Sequence, residues 1–213
     1  MKSLSIAFVI LCSLIYNLSI AQQDVNQYDA NGKRNGKWIG YHDGTKNIRY
    51  EGEFKNGKET GAFRYYDNTK SKQLVATREF KEGGTVFFAV FYSGKNKVSE
   101  GMMLGKDKIG EWRYFHKNSS VLMMLEYYKN GVLHGVKKVF YPTGELVDEM
   151  NYENGLKQGI NKKYNKNGIL LEESIFVKGE LDGPVSYYNN KGQIAVKGQY
   201  KKDKSIGVWT YYE

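Results

Sequence analysis

A glycine recurs about every 24 residues along most of this chain: Gly36, Gly61, Gly84, Gly110, Gly135, Gly159, Gly183 and Gly207, at intervals of 25, 23, 26, 25, 24, 24 and 24. Positions counted from these anchors repeat as well. Five residues on stand Tyr41, Tyr66, Ala89, Phe115, Phe140, Tyr164, Tyr188 and Tyr212, seven aromatics in eight in a chain that is 15% aromatic. Two residues after Gly36, Gly110 and Gly207 stand Trp38, Trp112 and Trp209, all 3 of the tryptophans. A period of this length restricts the fold to an array in which each unit leans on its neighbours.

Each unit reads as two short runs and two turns. After the aromatic comes a turn signal, as in Asp43-Gly44, Thr143-Gly144, Asn167-Gly168 and Lys191-Gly192. A second run then ends in an aromatic three residues before a glycine, as in Phe54 to Gly57, Tyr128 to Gly131 and Phe176 to Gly179. Within the runs, large rings alternate with other residues at period two, as in Gly110-Glu111-Trp112-Arg113-Tyr114, which is strand periodicity. Glycines this frequent would cost a helix interior about 1 kcal/mol each, whereas hairpin turns require them. Short connections join antiparallel neighbours. The expected fold is therefore all-β: one elongated antiparallel sheet of tandem β-hairpins, about eight units of roughly 24 residues, on the order of 70 Å long at the strand spacing.

Two places depart from the period. The third unit, residues 83–110, lacks the aromatic at Ala89 and is rich in Val86, Phe87, Phe88, Val90, Phe91, Tyr92, Met102, Met103 and Leu104, so cover on both faces is expected there. The last unit has only its first strand, an edge flanked by Lys201, Lys202 and Lys204, the charge that edges carry against further pairing.

Residues 1–21 differ from everything after them. Lys2 is followed by an almost wholly apolar or small run over residues 4–20, and Ser19-Ile20-Ala21 offers small residues at the positions a signal peptidase reads. The expected organisation is a signal peptide at 1–21, cleaved after Ala21, and an exported array at 22–213. A membrane anchor is the competing reading, since the run lies near the lower limit for spanning a bilayer. Cleavage takes the charge from +9 to +8 by removing Lys2, and removes Cys12, the 1 cysteine. The array then carries no disulfide and no transmembrane segment, which suits a periplasm or cell surface. Basic charge favours anionic partners, although lysines spread this evenly form solvated surfaces.

The phrase NGKRNGKWIGY at 31–41, with NGKETGAFRYY at 56–66 and DKSIGVWTYY at 203–212, resembles the MORN repeat in its longer bacterial variant, found in proteins labelled YwqK-family antitoxins. The resemblance covers about Tyr28 to Glu213. It implies an elongated single sheet of hairpins used for binding, scaffolding or membrane-associated roles, and the antitoxin label implies partnership with a toxin. The leader runs against a cytosolic antitoxin unless the toxin itself is exported.

Signatures of catalysis are lacking. His42 and His116 occupy one repeat phase about three units apart and His134 another, so they cannot share a metal. No metal, cofactor or enzymatic activity is expected. Glu51, Glu149 and Glu173 recur at one phase, where cross-strand pairing with lysine outweighs a cation-binding ladder. Rings two and four residues after each anchor are expected on one face. Tyr41, Tyr66, Phe115, Phe140, Tyr164, Tyr188 and Tyr212 are expected on the other, as the candidate binding face. The expected function is a secreted or periplasmic binding scaffold for a protein or for envelope glycan or lipid, with nucleic acid excluded by export. The alternative is an antitoxin-like partner of an exported toxin, and a glycan-acting enzyme ranks third.

Overall fold

The computed structural model describes residues 24–81 and 84–213, and the expected signal peptide lies outside the described residues. No helix occurs among the described residues, so none is long and apolar enough to cross a membrane. A two-residue strand β1 (Gln27–Tyr28) leads into β2 (Arg34–Tyr41), β3 (Ile48–Lys55), β4 (Lys58–Tyr66), β5 (Leu74–Phe80), β6 (Val86–Ser93), β7 (Asn96–Leu104), β8 (Asp107–Phe115) and β9 (Leu122–Lys129). β10 (Val132–Leu133) and β11 (Gly135–Phe140) are halves of one path interrupted at His134, and both pair with β9. β12 (Leu146–Glu153), β13 (Leu156–Tyr164), β14 (Leu170–Val177), β15 (Glu180–Tyr188), β16 (Ile194–Lys201) and β17 (Lys204–Tyr211) complete the chain. Successive strands pair antiparallel, giving one open 17-stranded sheet in hairpin succession, as the glycine period predicts.

Two kinds of turn alternate along the two borders. At one border most turns have both central residues left-handed, as in Asn56-Gly57 (φ 53° and 81°) and Asn154-Gly155 (φ 51° and 82°), the type I′ geometry that matches strand twist. The second residue of each such turn donates its amide to the preceding unit: Gly57 to the Arg34 carbonyl and Gly179 to that of Lys157, both at 2.9 Å, and Gly155 to that of Leu133 at 2.8 Å. At the other border three of the turns close on an Asx side chain, that of Asp67, Asn165 or Asn189. Asn165 Oδ1 accepts from the amides of Asn167 (2.9 Å) and Ile169 (3.0 Å), and Asn189 Oδ1 from those of Lys191 (2.9 Å) and Gln193 (3.1 Å).

Anchor glycines such as Gly61, Gly110, Gly159, Gly183 and Gly207 sit in bulges. On β13, Met150 pairs with Asn161 and Tyr152 with Lys157, so Asn151 alone faces residues 158–160, and Gly159 in that bulge has φ +87°. A bulge increases local twist and re-aims the residues that follow it.

The third unit does not follow the anchor spacing. Arg78 pairs with Ala89, and Ala89 with Gly101, which puts Ala89 at the position that Phe63 and Trp112 hold in their own units. Gly84 is therefore a turn residue, and Phe87 stands where the anchor glycine stands elsewhere. No register shift interrupts β5–β6, so Phe87 needs no left-handed backbone there. The ring absent at residue 89 is supplied by Tyr92, which follows a register shift in β6 as Tyr66 does in β4. Cover on both faces is incomplete, because Phe88 is 39% exposed.

The core is a spine across one face. Trp38 pairs with Gly52, and the Phe63 ring lies over that same glycine. Trp112 lies over Gly101, where an added Cβ would come within 2.6 Å of the indole, and Trp209 lies over Gly198 in the same way. Edge-on contacts link the column: Trp38–Phe54 at 5.7 Å, Phe54–Phe63 at 5.3 Å and Phe63–Phe80 at 5.3 Å between centroids. Such pairs contribute about 0.5–1.5 kcal/mol beyond their buried area. Phe63 and Trp112 end at 0% and 1% exposed within a single sheet.

Two substitutions test this account by urea unfolding. Gly101→Ala pushes a methyl into the Trp112 ring and is expected to destabilise by about 1–3 kcal/mol. Gly159→Val has open space but the wrong backbone, and is expected to lose more than about 1 kcal/mol. Parent-like midpoints in both would show that neither ring-on-glycine packing nor the bulge conformation stabilises the sheet.

Candidate binding face

The seven rings expected on the second face form one row. Each of the first six pairs with an aliphatic residue immediately after a register shift: Tyr41 with Ile48, Tyr66 with Leu74, Phe115 with Leu122, Phe140 with Leu146, Tyr164 with Leu170 and Tyr188 with Ile194. Tyr212 follows β17 and donates its amide to the Ala195 carbonyl at 2.9 Å. Tyr41 and Tyr212 are 50% and 47% exposed, and the five rings between them are half-buried.

The row faces away from the spine. The Tyr66 hydroxyl donates to Glu51 Oε2 at 2.8 Å, and Glu51 belongs to the column Ile39–Glu51–Arg64–Thr77 behind the spine. Burial and that hydrogen bond push the Tyr66 hydroxyl up to about 12. Burial alone would raise the Glu51 carboxyl, but Lys72 (2.6 Å) and Tyr66 outweigh it and hold the group below the usual range. Farther along the same column Lys138 reaches Glu149 at 3.1 Å and Lys162 reaches Glu173 at 3.6 Å. The recurrent acids are thus cross-strand partners of basic residues, as the lysine-pairing reading expects, with exposed pairs worth only a few tenths of a kcal/mol.

Two histidines have structural work at the row's border. His42 Nε2 and His116 Nε2 each lie 3.0 Å from the carbonyl of the next unit's ring, Tyr66 and Phe140 respectively. A carbonyl only accepts, so Nε2 carries the hydrogen in both. Tyr141 does the same with its hydroxyl, donating to the Tyr164 carbonyl at 3.2 Å. Among the described residues no group of three or more His, Cys, Asp or Glu is placed to hold a metal ion.

The spine face departs from the expected ring column in its second half. The positions equivalent to Trp38 and Trp112 carry Lys137, Asn161 and Val185 before Trp209 restores a ring. Ring–ring contacts among the described residues run from Tyr28 to Tyr114 and resume only at Tyr200–Trp209. Charge fills the gap: Glu126 with Lys137 at 3.2 Å, and Lys163 with Glu172 at 2.8 Å. Glu126 is buried, and burial alone would raise its carboxyl. The Tyr128 hydroxyl at 2.6 Å and Lys137 outweigh burial and hold it low. Asp148 is raised, chiefly by burial that Lys163 only partly offsets. The residues at 137 and 161 were visible in the sequence, but nothing in the repeat marked Glu126 as buried.

No protein-family model and no curated protein matches the chain. Among solved structures, TarM is similar over 55% of this chain and 18% of its own length, at 14% identity and a TM-score of 0.24. A mutant S. aureus TarM in complex with Fondaparinux, alpha-GlcNAc-glycerol and UDP is similar over 57% and 19%, at 14% identity and a TM-score of 0.25. Likenesses this distant carry no functional argument.

Glu126 gives a pH test. Its carboxyl is depressed in the folded chain, so its stabilisation is present above the unfolded value, about 4.3, and is lost as pH falls through the folded value. Glu126→Gln is expected to destabilise by about 1–3 kcal/mol at pH 7, and the gap from the parent is expected to narrow below about pH 4. Denaturant midpoints at both pH values check this. A gap that stays constant with pH would mean that the amide's shape, and not the charge, causes the loss.

Proposed function

We propose that this chain is an exported, non-catalytic repeat scaffold of MORN-like construction that binds a protein or a cell-envelope polymer along its ring row. The observation that carries the reading is the row itself: seven rings in one repeat phase, joined by Tyr92 in the third unit, on the face away from the spine and spaced every second strand at about 10 Å. A row half-buried in the sheet is held in place before any partner arrives, which lowers the ordering cost of binding. Tyr41 and Tyr212 are the exposed ends of the row, and the rings between them keep part of their surface open to solvent. Export is supported by the leader-like composition of residues 1–21.

The test is a pull-down of the tagged, processed protein from its native host, followed by mass spectrometry and glycan and lipid analysis of what is retained. Stoichiometric retention of one protein or one envelope polymer is expected, and it should fall when Tyr41 and Tyr212 are replaced by serine. A protein that stays in the cytosol with its leader uncleaved, or that retains nothing, would overturn the proposal.

A further inference from the structure

The turns beside the ring row carry a second repeat. Seven turns lie at this border, at 42–47, 67–73, 94–95, 116–121, 141–145, 165–169 and 189–193, and six of them present an exposed lysine, Lys46, Lys70, Lys95, Lys117, Lys166 and Lys191, with Lys72 a second one in the turn at 67–73. None of the six takes part in an ion pair among the described residues. The neighbouring Lys72 and Lys97 are already engaged, by Glu51 at 2.6 Å and Glu100 at 2.7 Å. The acids in these turns are Asp43, Asp67 and Glu145. Asp67 accepts from the Gln73 amide at 3.0 Å and the Thr69 hydroxyl at 2.7 Å, and the six lysines outnumber the three acids, so the border is net positive.

These turns are locked to one another. Asn47 Nδ2 donates to Asn68 Oδ1 at 2.9 Å and Asn96 Nδ2 to Asn118 Oδ1 at 3.1 Å, beside the His42, His116 and Tyr141 bonds to the next unit's carbonyl. Lysines and rings therefore recur together at a fixed interval of two strands, about 10 Å. Between the second and third of these turns the border opens into a groove of about 580 Å³ lined by Gln73, Leu74, Tyr92 and Lys95.

We infer that this border binds a linear acidic polysaccharide, with sugar faces laid on the ring row and carboxylates held by the turn lysines. The inference rests on the scaffold reading and names its ligand class. Such a polymer presents a flat apolar sugar face and an anionic group in every repeat, matching the ring of each unit and the lysine of all but the one whose turn, at 141–145, has none. A lipid surface fits less well: the inner rings lie half-buried in the sheet, and Tyr66 is hydrogen-bonded to Glu51, so neither projects into a bilayer. Avidity follows from repetition, since each unit binds weakly and the polymer engages several at once.

The test is titration calorimetry of the processed full-length protein with polygalacturonate and with hyaluronan, beside a neutral linear glycan, poly-L-glutamate and vesicles containing anionic phospholipid. At least one acidic glycan is expected to bind, more weakly as salt rises, and at least about tenfold more tightly than the other three probes. The combined Lys95→Glu, Lys117→Glu, Lys166→Glu and Lys191→Glu variant leaves the sheet interior untouched and is expected to lose at least about tenfold in affinity. Tyr41→Ser with Tyr212→Ser, at the two most exposed rings, is expected to weaken glycan binding at constant salt slope. Equal binding of poly-L-glutamate, tighter binding of vesicles, or a charge-reversed variant that binds like the parent would overturn the inference. If neither acidic glycan binds while the host pull-down still retains a protein, the scaffold reading stands and the polysaccharide inference falls. If both experiments are empty, both fall.

Discussion

A sheet one layer thick has no second layer against which to bury a face, so the rings of this chain bury one another. Glycine makes that possible: with no side chain at Gly52, Gly101 and Gly198, the rings of Phe63, Trp112 and Trp209 lie flat on neighbouring backbone. Each ring then meets others across the strands, and in the first half of the array Trp38, Phe54, Phe63, Phe80, Phe87 and Trp112 join one continuous core. The repeat follows from this constraint, because a unit that buries its ring only on the next unit cannot fold alone.

The spine also shows what such a sheet tolerates. Between Trp112 and Trp209 the buried column passes through Glu126, Lys137, Met150, Asn161 and Ser174. A buried charge is tolerated when it is paired, and Glu126 has both Lys137 and the Tyr128 hydroxyl. Breaking one partner is costlier than never having had the pair, which makes this middle segment sensitive to single substitutions. Arg78 plays the comparable part in the first half, with its guanidinium 4.7 Å from the Tyr65 ring centroid and 4.9 Å from that of Phe87.

The ring row draws its geometry from the turns. Each of its first six rings follows a register shift, and His42, His116 and Tyr141 tie successive turns to the carbonyls of Tyr66, Phe140 and Tyr164. Residues that a metal-centred reading would single out therefore fix the spacing at which rings and lysines are displayed. Preorganisation of that kind is what a repetitive ligand rewards.

Much of the fold was legible in the sequence because the 24-residue period, the Asn-Gly turns and the period-two rings all act locally. Antiparallel order and the division of rings between two faces follow from chain geometry alone, whereas the short β1 and the break at His134 that splits one path into β10 and β11 were not legible in the repeat. The third unit escaped that reading. Glycine spacing pointed to Gly84, but the position of an anchor is defined by cross-strand register, and register placed Phe87 there and Tyr92 in the row. The burial of Glu126, the occupation of Glu51 by Lys72 and Tyr66, and the freedom of the turn lysines likewise depend on which residues of separate strands face each other. The sequence by itself determined that this chain is an array of hairpins, since turn chemistry and alternation are properties of neighbours along the backbone. Only the tertiary structure decided which side chains are buried, paired or left exposed, because those depend on pairing across strands and on the bulges that set it.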